Sequence, residues 1–291
     1  MKDLSEYRLL EEIGRGGMGV VHRALTSDLR EVAIKLLTRQ ADAGALTRLH
    51  REIEVHSKLA REAGFVPVLE LCQGPAGQPA LVMPLLRGGT LRDQLRSRPL
   101  SVPRSIEIAE TLAATLGRAH GWDIVHRDMK PENILFDAGR FPLIADLGLA
   151  KHALSEAEGD LSLTGQILGT VAYLSPEQAR HPRSAGPPTD VYALGAILFE
   201  CLTGSIPFEG LRGLDRDPRQ APPDLAALRP DCPGWLVEVV RRCLESDPGR
   251  RYPDGNALRD ALSSGRVRSE GRTGSARLLG AVALAAVGAF T

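Results

Sequence analysis

Lysine is scarce in this chain. Only Lys2, Lys35, Lys58, Lys130 and Lys151 occur among 291 residues, so any chemistry that demands a lysine is confined to few positions. An excess of one charge sign is also missing. Lys+Arg and Asp+Glu each total 36, which removes the global basic field that nonspecific nucleic-acid binding needs. No nucleic-acid partner is expected. The four cysteines, Cys72, Cys201, Cys232 and Cys243, form no CxxC pair and have no histidine at zinc-ligand spacing. This argues against a disulfide scaffold or a structural metal and for a reducing compartment. The opening MKDLSEYRLLEEIG holds no apolar signal core, so a cytoplasmic location is expected.

What is present suffices for a packed core, with 43% apolar and 25% charged residues. From Tyr7 to Leu86 short β-like runs alternate with turn residues: YRLLEEIG, VVHRAL, a TSD turn, EVAIKLL, FVPVLELC and PALVMPLL. These predict a meander of antiparallel strands. Apolar Leu49, Ile53 and Leu59 recur at helical spacing between Ala45 and Ala60, predicting one amphipathic helix in this β-rich half. After Gly88 and Gly89 the pattern turns helical: TLRDQLRSR, Val102–His120, Asp190–Leu202, Trp235–Leu244 and Asn256–Leu262. Residues 263–277 are rich in Gly, Ser and Arg and read as a solvated linker. Leu278–Phe290 is an apolar run of thirteen residues, short of the roughly 20 that span a bilayer. It reads either as a truncated transmembrane helix or as an apolar tail. The preceding Arg266, Arg268, Arg272 and Arg277 fit a cytoplasmic juxtamembrane segment, so a membrane contact through this end is one expectation.

Gly14-Arg15-Gly16-Gly17-Met18-Gly19 fits G-x-G-x-x-G, a weak signal alone because both dinucleotide folds and phosphotransferases let glycine backbones approach phosphate. A dinucleotide fingerprint must open a helix, whereas a β-like run follows here and Lys35 sits on the next one, in Val32-Ala33-Ile34-Lys35. A glycine hairpin can then cover nucleotide phosphates while the lysine neutralises them from beneath. A cleft lysine needs a counter-charge, and Glu52 at the apolar edge of the amphipathic helix is the better candidate over Glu54. His126-Arg127-Asp128-Met129-Lys130-Pro131-Glu132-Asn133 matches H-R-D-x-x-x-x-N at every fixed position. Asp146-Leu147-Gly148 and Ser175-Pro176-Glu177 follow in order.

On these ordered motifs the chain resembles the protein kinase superfamily, and in detail a eukaryotic-like bacterial serine/threonine kinase, over residues 7–262. The resemblance implies an α+β bilobal fold with a β-rich N-lobe (7–86) carrying one helix and a mainly helical C-lobe (87–262). It implies that Asp128 accepts or orients the substrate hydroxyl proton, that Lys130 stabilises the transferring phosphoryl, and that Asn133 and Asp146 hold Mg²⁺, with Mn²⁺ as a substitute. ATP would lie against Ile13, Gly14, Arg15, Gly16, Gly17, Met18, Gly19, Val20 and Val21. Further contacts would come from Ala33, Lys35, Met83, Leu85 and Leu135, with Glu52 pairing Lys35. Lys130 and Thr170 match the Ser/Thr-specific pattern, so the implied partners are protein substrates presenting Ser or Thr.

Arg127 before Asp128 resembles kinases that need an anion in the activation segment, which offers Ser155, Ser162, Thr164 and Thr170. Thr164 is the expected autophosphorylation site, with self-association in trans. Glu177 and Arg250 are expected to form a buried ion pair, Asp190 to anchor the catalytic-loop backbone, and His126 to be a packed structural histidine. The hinge Val82-Met83-Pro84-Leu85-Leu86 has proline where relatives often place an acid, and Leu147 replaces the usual Phe. The rival readings are a pseudokinase scaffold, opposed by the intact Lys35, Asp128, Asn133 and Asp146, and a small-molecule phosphotransferase, opposed by the complete activation segment.

Overall fold

The computed structural model describes residues 2–17, 19–38, 64–146, 171–181, 185–208 and 221–265, with the single positions 44, 47, 49 and 53. The β-rich half builds one six-stranded sheet from β1 (Lys2–Asp3), β2 (Arg8–Gly16), β3 (Gly19–Leu25), β4 (Glu31–Leu37), β5 (Glu70–Gln73) and β6 (Pro79–Pro84), in the order β1-β5-β6-β4-β3-β2. The β-branched and aliphatic residues of β4 are buried on both faces, as a central strand requires.

Two details differ from the sequence reading. β1 lies ahead of residue 7 and pairs parallel with β5, Lys2 opposite Cys72, so the sheet is not a pure antiparallel meander. Leu4, in the 3₁₀ turn that follows, packs into the cluster of Ala24, Val32, Ile34, Cys72, Ala80 and Val82, and this burial holds the short strand in place. FVPVLELC is extended only at its end, because Phe65 and Val66 are used elsewhere. Phe65 bridges Ile144, and the amides of Val66 and Ile144 bond to the carbonyls of Ile144 and Gly64 at 2.9 and 2.8 Å.

Positions 44, 47, 49 and 53 are helical, and Leu49 is fully buried. In the helical half, α1 (Leu91–Leu95) starts at a Thr90 capping box with Asp93. α2 spans Val102–His120, as expected, with Ser101 as its N-cap. α3 (Pro176–Arg180), α4 (Pro187–Thr203), α5 (Leu225–Leu228), α6 (Gly234–Cys243) and α7 (255–265) follow. α7 continues three residues into the stretch read as linker. α4 is buried around its whole circumference, which its nearly unbroken apolar run VYALGAILFECL dictates. A Cβ on Gly195 would lie 2.3 Å from that of Cys243, so glycine there lets α4 and α6 meet closely.

Between the two halves a hairpin of β7 (Ile134–Phe136) and β8 (Pro142–Ile144) carries the chemistry-bearing loops at its ends. β7 is held by Gly88 and Gly89, whose backbone groups exchange 3.0 Å bonds with Phe136. β8 is held on its other side by residues 64–66. The residues just beyond β8 are thus fixed by both halves.

Candidate active site

The glycine hairpin is the β2–β3 turn. Gly14, Arg15 and Gly16 end β2 opposite Val21, Val20 and Gly19, and Gly17 lies in the turn. A Cβ on Gly19 would fall 2.1 Å from the carbonyl oxygen of Leu36, so only glycine permits β3 to run this close to β4. A Cβ on Gly16 would meet nothing within 4 Å, which leaves open space above the hairpin. Arg15 turns outward and pairs with Glu12 at the surface. Ile13 is 46% exposed, an aliphatic side chain left uncovered by the fold.

Register carries the cleft inward from there. Val21 stands opposite Lys35, and Ala33 opposite Met83 on β6. Leu85 follows the end of β6, and Leu135 is half-buried on β7. Lys35 is buried, and its Nζ lies 2.6 Å from Oδ2 of Asp146. Met18 and Glu52 lie outside the described residues, as do Glu54, Leu147, Gly148, Ser155, Ser162, Thr164 and Thr170.

The loop 126–133 is built around one buried carboxylate. Asp190, at the start of α4, is fully buried. Its Oδ2 accepts from the His126 amide at 2.7 Å and faces His120 Nε2 at 3.0 Å, while Oδ1 accepts from the Arg127 amide at 2.8 Å. His126 is buried as a structural histidine. Its Nε2 lies 3.0 Å from the Ala145 carbonyl and so donates, leaving Nδ1 to accept from the Asp128 amide at 3.3 Å. Arg127 and Asp146 both have positive φ, 64° and 57°. Such backbone strain in non-glycine residues persists only where surrounding contacts over-determine it.

Asp128, Lys130 and Asn133 converge. Lys130 Nζ is 3.2 Å from Asp128 Oδ2, and Asn133 Nδ2 donates to the Asp128 carbonyl at 2.8 Å and to its Oδ2 at 3.2 Å. The Ala145 amide donates to the Asn133 carbonyl at 2.8 Å, which brings Asp146 beside Asn133. The donor set suits a hard divalent cation. The amide nitrogen of Asn133 is committed to Asp128, so its side-chain oxygen is the atom left to ligate, and the Asp146 carboxylate supplies a second oxygen. Among the described residues no group of three or more His, Cys, Asp or Glu is placed to hold a metal ion.

One expected pair is corrected. Glu177 does not pair with Arg250 but with Arg251, whose Nη1 and Nη2 lie 2.7 and 2.8 Å from its two carboxylate oxygens. Pro248–Arg250 forms a 3₁₀ turn that leaves Arg250 exposed, and the extended Arg251 after it runs inward. There the Arg251 side chain stacks 4.9 Å over Tyr192 and donates to the carbonyls of Glu245, Ser246 and Pro188. Burial alone would raise the Glu177 carboxyl, but the bonds and charge of Arg251 outweigh it and hold the group below the ordinary carboxylate range.

Sequence reasoning also missed Arg92. From α1 it reaches Glu132 Oε1 at 2.8 Å, Glu200 Oε1 at 2.5 Å and the Tyr173 hydroxyl at 2.6 Å, and Tyr173 in turn donates to Glu200. It therefore ties the catalytic loop to α4 and to the 3₁₀ turn at Val171–Tyr173. No local pattern marks an arginine whose partners lie as many as 108 positions away.

A β-rich lobe with a glycine hairpin and a buried lysine is set over a loop carrying aspartate, lysine and asparagine. Residues 7–262 match the family model described as protein kinase domain, and the chain belongs to that family in its eukaryotic-like bacterial serine/threonine branch. It is 36% identical to a probable serine/threonine-protein kinase PknB of Lactococcus lactis, over 85% of this chain and 40% of that protein. It is equally identical to the DNA damage-responsive serine/threonine-protein kinase RqkA of Deinococcus radiodurans, over 93% and 42%. The serine/threonine-protein kinase PknE of Mycobacterium tuberculosis is 36% identical over 84% of this chain and 44% of its own length. The chain thus spans less than half the length of these relatives. Among the described residues no helix is long and apolar enough to cross a membrane.

Proposed function

We propose that this domain transfers the γ-phosphoryl group of ATP to serine or threonine hydroxyls of proteins. The observation that carries the reading is the convergence of Lys130 and Asn133 on Asp128, with Lys35 held 2.6 Å from Asp146. Phosphoryl transfer asks for positioning and charge neutralisation more than for covalent chemistry, and these groups supply both. The amides of the Gly14–Gly19 hairpin cover the phosphates, and Ile13, Val21, Ala33, Met83, Leu85 and Leu135 sandwich the adenine. Lys35 grips the α- and β-phosphates. Asn133 and Asp146 would hold Mg²⁺, or Mn²⁺ in its place, which would supply charge neutralisation at the phosphate oxygens. Asp128 orients the acceptor hydroxyl and takes its proton, while Lys130 balances the charge of the transferring group.

The same reading places autophosphorylation at Thr164, supported by Arg127 beside Asp128, and assigns the transfer to a second copy of the chain. A rate per molecule that rises with protein concentration supports transfer in trans, and full activity of Thr164→Ala removes that site. For residues 278–291, partition of the 291-residue chain between soluble and detergent-extracted fractions decides between a membrane-seated and a merely apolar end.

The central test is intact mass after incubation with Mg²⁺ and ATP, compared with Asp128→Asn. Phosphate increments in the parent alone support the kinase reading. Nucleotide binding without increments in either protein overturns it in favour of a scaffold.

A further inference from the structure

We propose that Gln178 is a positioning residue for Asp128. It acts by fixing the peptide plane between Arg127 and Asp128, and the proposal rests on the kinase reading above for its kinetic consequence. Gln178 sits in the first turn of α3, where its amide approaches the capping Ser175 Oγ at 3.4 Å. Its side chain leaves the helix and donates from Nε2 to the Arg127 carbonyl at 2.6 Å. That carbonyl belongs to the peptide unit whose N–H, on Asp128, donates to His126 Nδ1 at 3.3 Å. The unit is therefore held at both ends, by Gln178 on its oxygen and by His126 on its nitrogen.

A peptide unit is rigid, so fixing its two ends fixes the direction in which the next Cα departs. The residue on that Cα is Asp128. The residue behind is Arg127, whose φ of 64° is one that a non-glycine side chain resists. Asp190 holds the amides of His126 and Arg127 but makes no bond to the carbonyl side of this plane. Gln178 supplies a restraint there. Rotation of the plane would redirect the Asp128 backbone and swing its carboxylate away from Lys130 and Asn133.

The neighbouring side chains of α3 have different roles. Glu177 faces Arg251 and Thr189, so it anchors the helix to the core. With that anchor in place, Gln178 can transmit the position of α3 to the base.

The test compares Gln178→Met, which keeps length and loses the donor, with Gln178→Glu, which sets a carboxylate against the carbonyl. Two readouts are used on the full chain. Hydrogen–deuterium exchange of the peptide 126–130 should be faster in both variants, with α4 unchanged. Turnover with ATP and a mixed Ser/Thr peptide library should fall about tenfold in kcat, equivalent to about 1.4 kcal/mol on the barrier, with KM for ATP within about twofold.

A third signature separates positioning from general damage. The Gln178→Glu to Gln178→Met turnover ratio should rise as pH falls from about 8 to about 5.5, because a carboxyl set against the Arg127 carbonyl can bond to it only when protonated and is therefore pushed up from its ordinary value of about 4.3 toward that range. Unchanged exchange at 126–130 overturns the proposal, as does a rise in KM for ATP at constant kcat. A flat pH ratio does the same. If the parent itself transfers no phosphate, the kinase reading fails while the exchange comparison still decides the positioning claim.

Discussion

Lys35 Nζ and Asp146 Oδ2 lie 2.6 Å apart, one on the central strand of the upper sheet and the other just past the hairpin between the lobes. The pair joins two segments 111 positions apart, as 146 minus 35 gives. It sets the cation proposed to grip the phosphates next to the carboxylate proposed to hold the metal. Lys35 is buried and Asp146 keeps 30% of its side chain exposed, so the pair opens toward the cleft on its acidic side.

Lys35→Met should therefore cost phosphate transfer far more than folding. Loss of one preorganised charge at a reacting centre typically lowers turnover about 10²–10³-fold. Phosphate incorporation should fall by that order, while the thermal midpoint moves by no more than a few degrees.

Arg250 and Arg251 provide a sharp contrast between neighbours. Arg251→Ala leaves the part-buried Glu177 without its charge partner; stranding a fully buried charge costs about 3–5 kcal/mol, and a loss toward the lower end of that range is expected. Arg250→Ala removes an exposed side chain and should stay within about 0.5 kcal/mol. Urea unfolding of the two variants measures the difference, and equal losses would restore Arg250 as the partner.

The same pair sets a pH dependence. The folded Glu177 carboxyl is held below its unfolded value, so the unfolded chain binds the proton more readily. The stabilisation is present above the unfolded value, about 4.3, and is lost as pH falls through the depressed folded one. The parent should lose stability more steeply than Glu177→Gln below about pH 4.3, measured by unfolding at stepped pH.

Arg92→Ala should destabilise the C-lobe by about 2–4 kcal/mol, because Glu200 is buried and loses a charged donor. Arg92→Lys should recover only part of that, since an ammonium cannot reproduce three separately directed contacts. Thermal unfolding of the two variants orders them.

All four cysteines are buried. Burial raises the thiols of Cys72 and Cys232 to about 11 and that of Cys243 to about 12, and pushes Cys201 up as well. Thiol reagents at neutral pH should modify none of them within minutes in the native state and all four after denaturation. Mass spectrometry counts the adducts.

Much of this architecture was legible in the chain because its chemistry is local. The glycine hairpin, the lysine one strand later and the octet 126–133 are short patterns whose spacing fixes who meets whom. The continuous apolar run of α4 and the 3.6-residue period of α2 likewise announce their burial. What escaped depended on tertiary placement. Arg250 and Arg251 are identical in type, and only the 3₁₀ turn decides which of them faces inward. Lys2 and Asp3 carry no β signal and are strand residues because Leu4 has a cluster to fill. Arg92 looks like any exposed helix arginine until Tyr173 and Glu200 are folded beneath it.

Asp190 belongs to the most deeply enclosed helix among the described residues, and it is this helix that grips the backbone ahead of Asp128. The conformational entropy of the loop is consequently surrendered when the chain folds, before any substrate arrives. On the kinase reading, nucleotide and acceptor would meet a loop that needs little further ordering, which spares their binding energy for the transition state. Loosening this grip would show first as slower turnover, well before the protein failed to hold together.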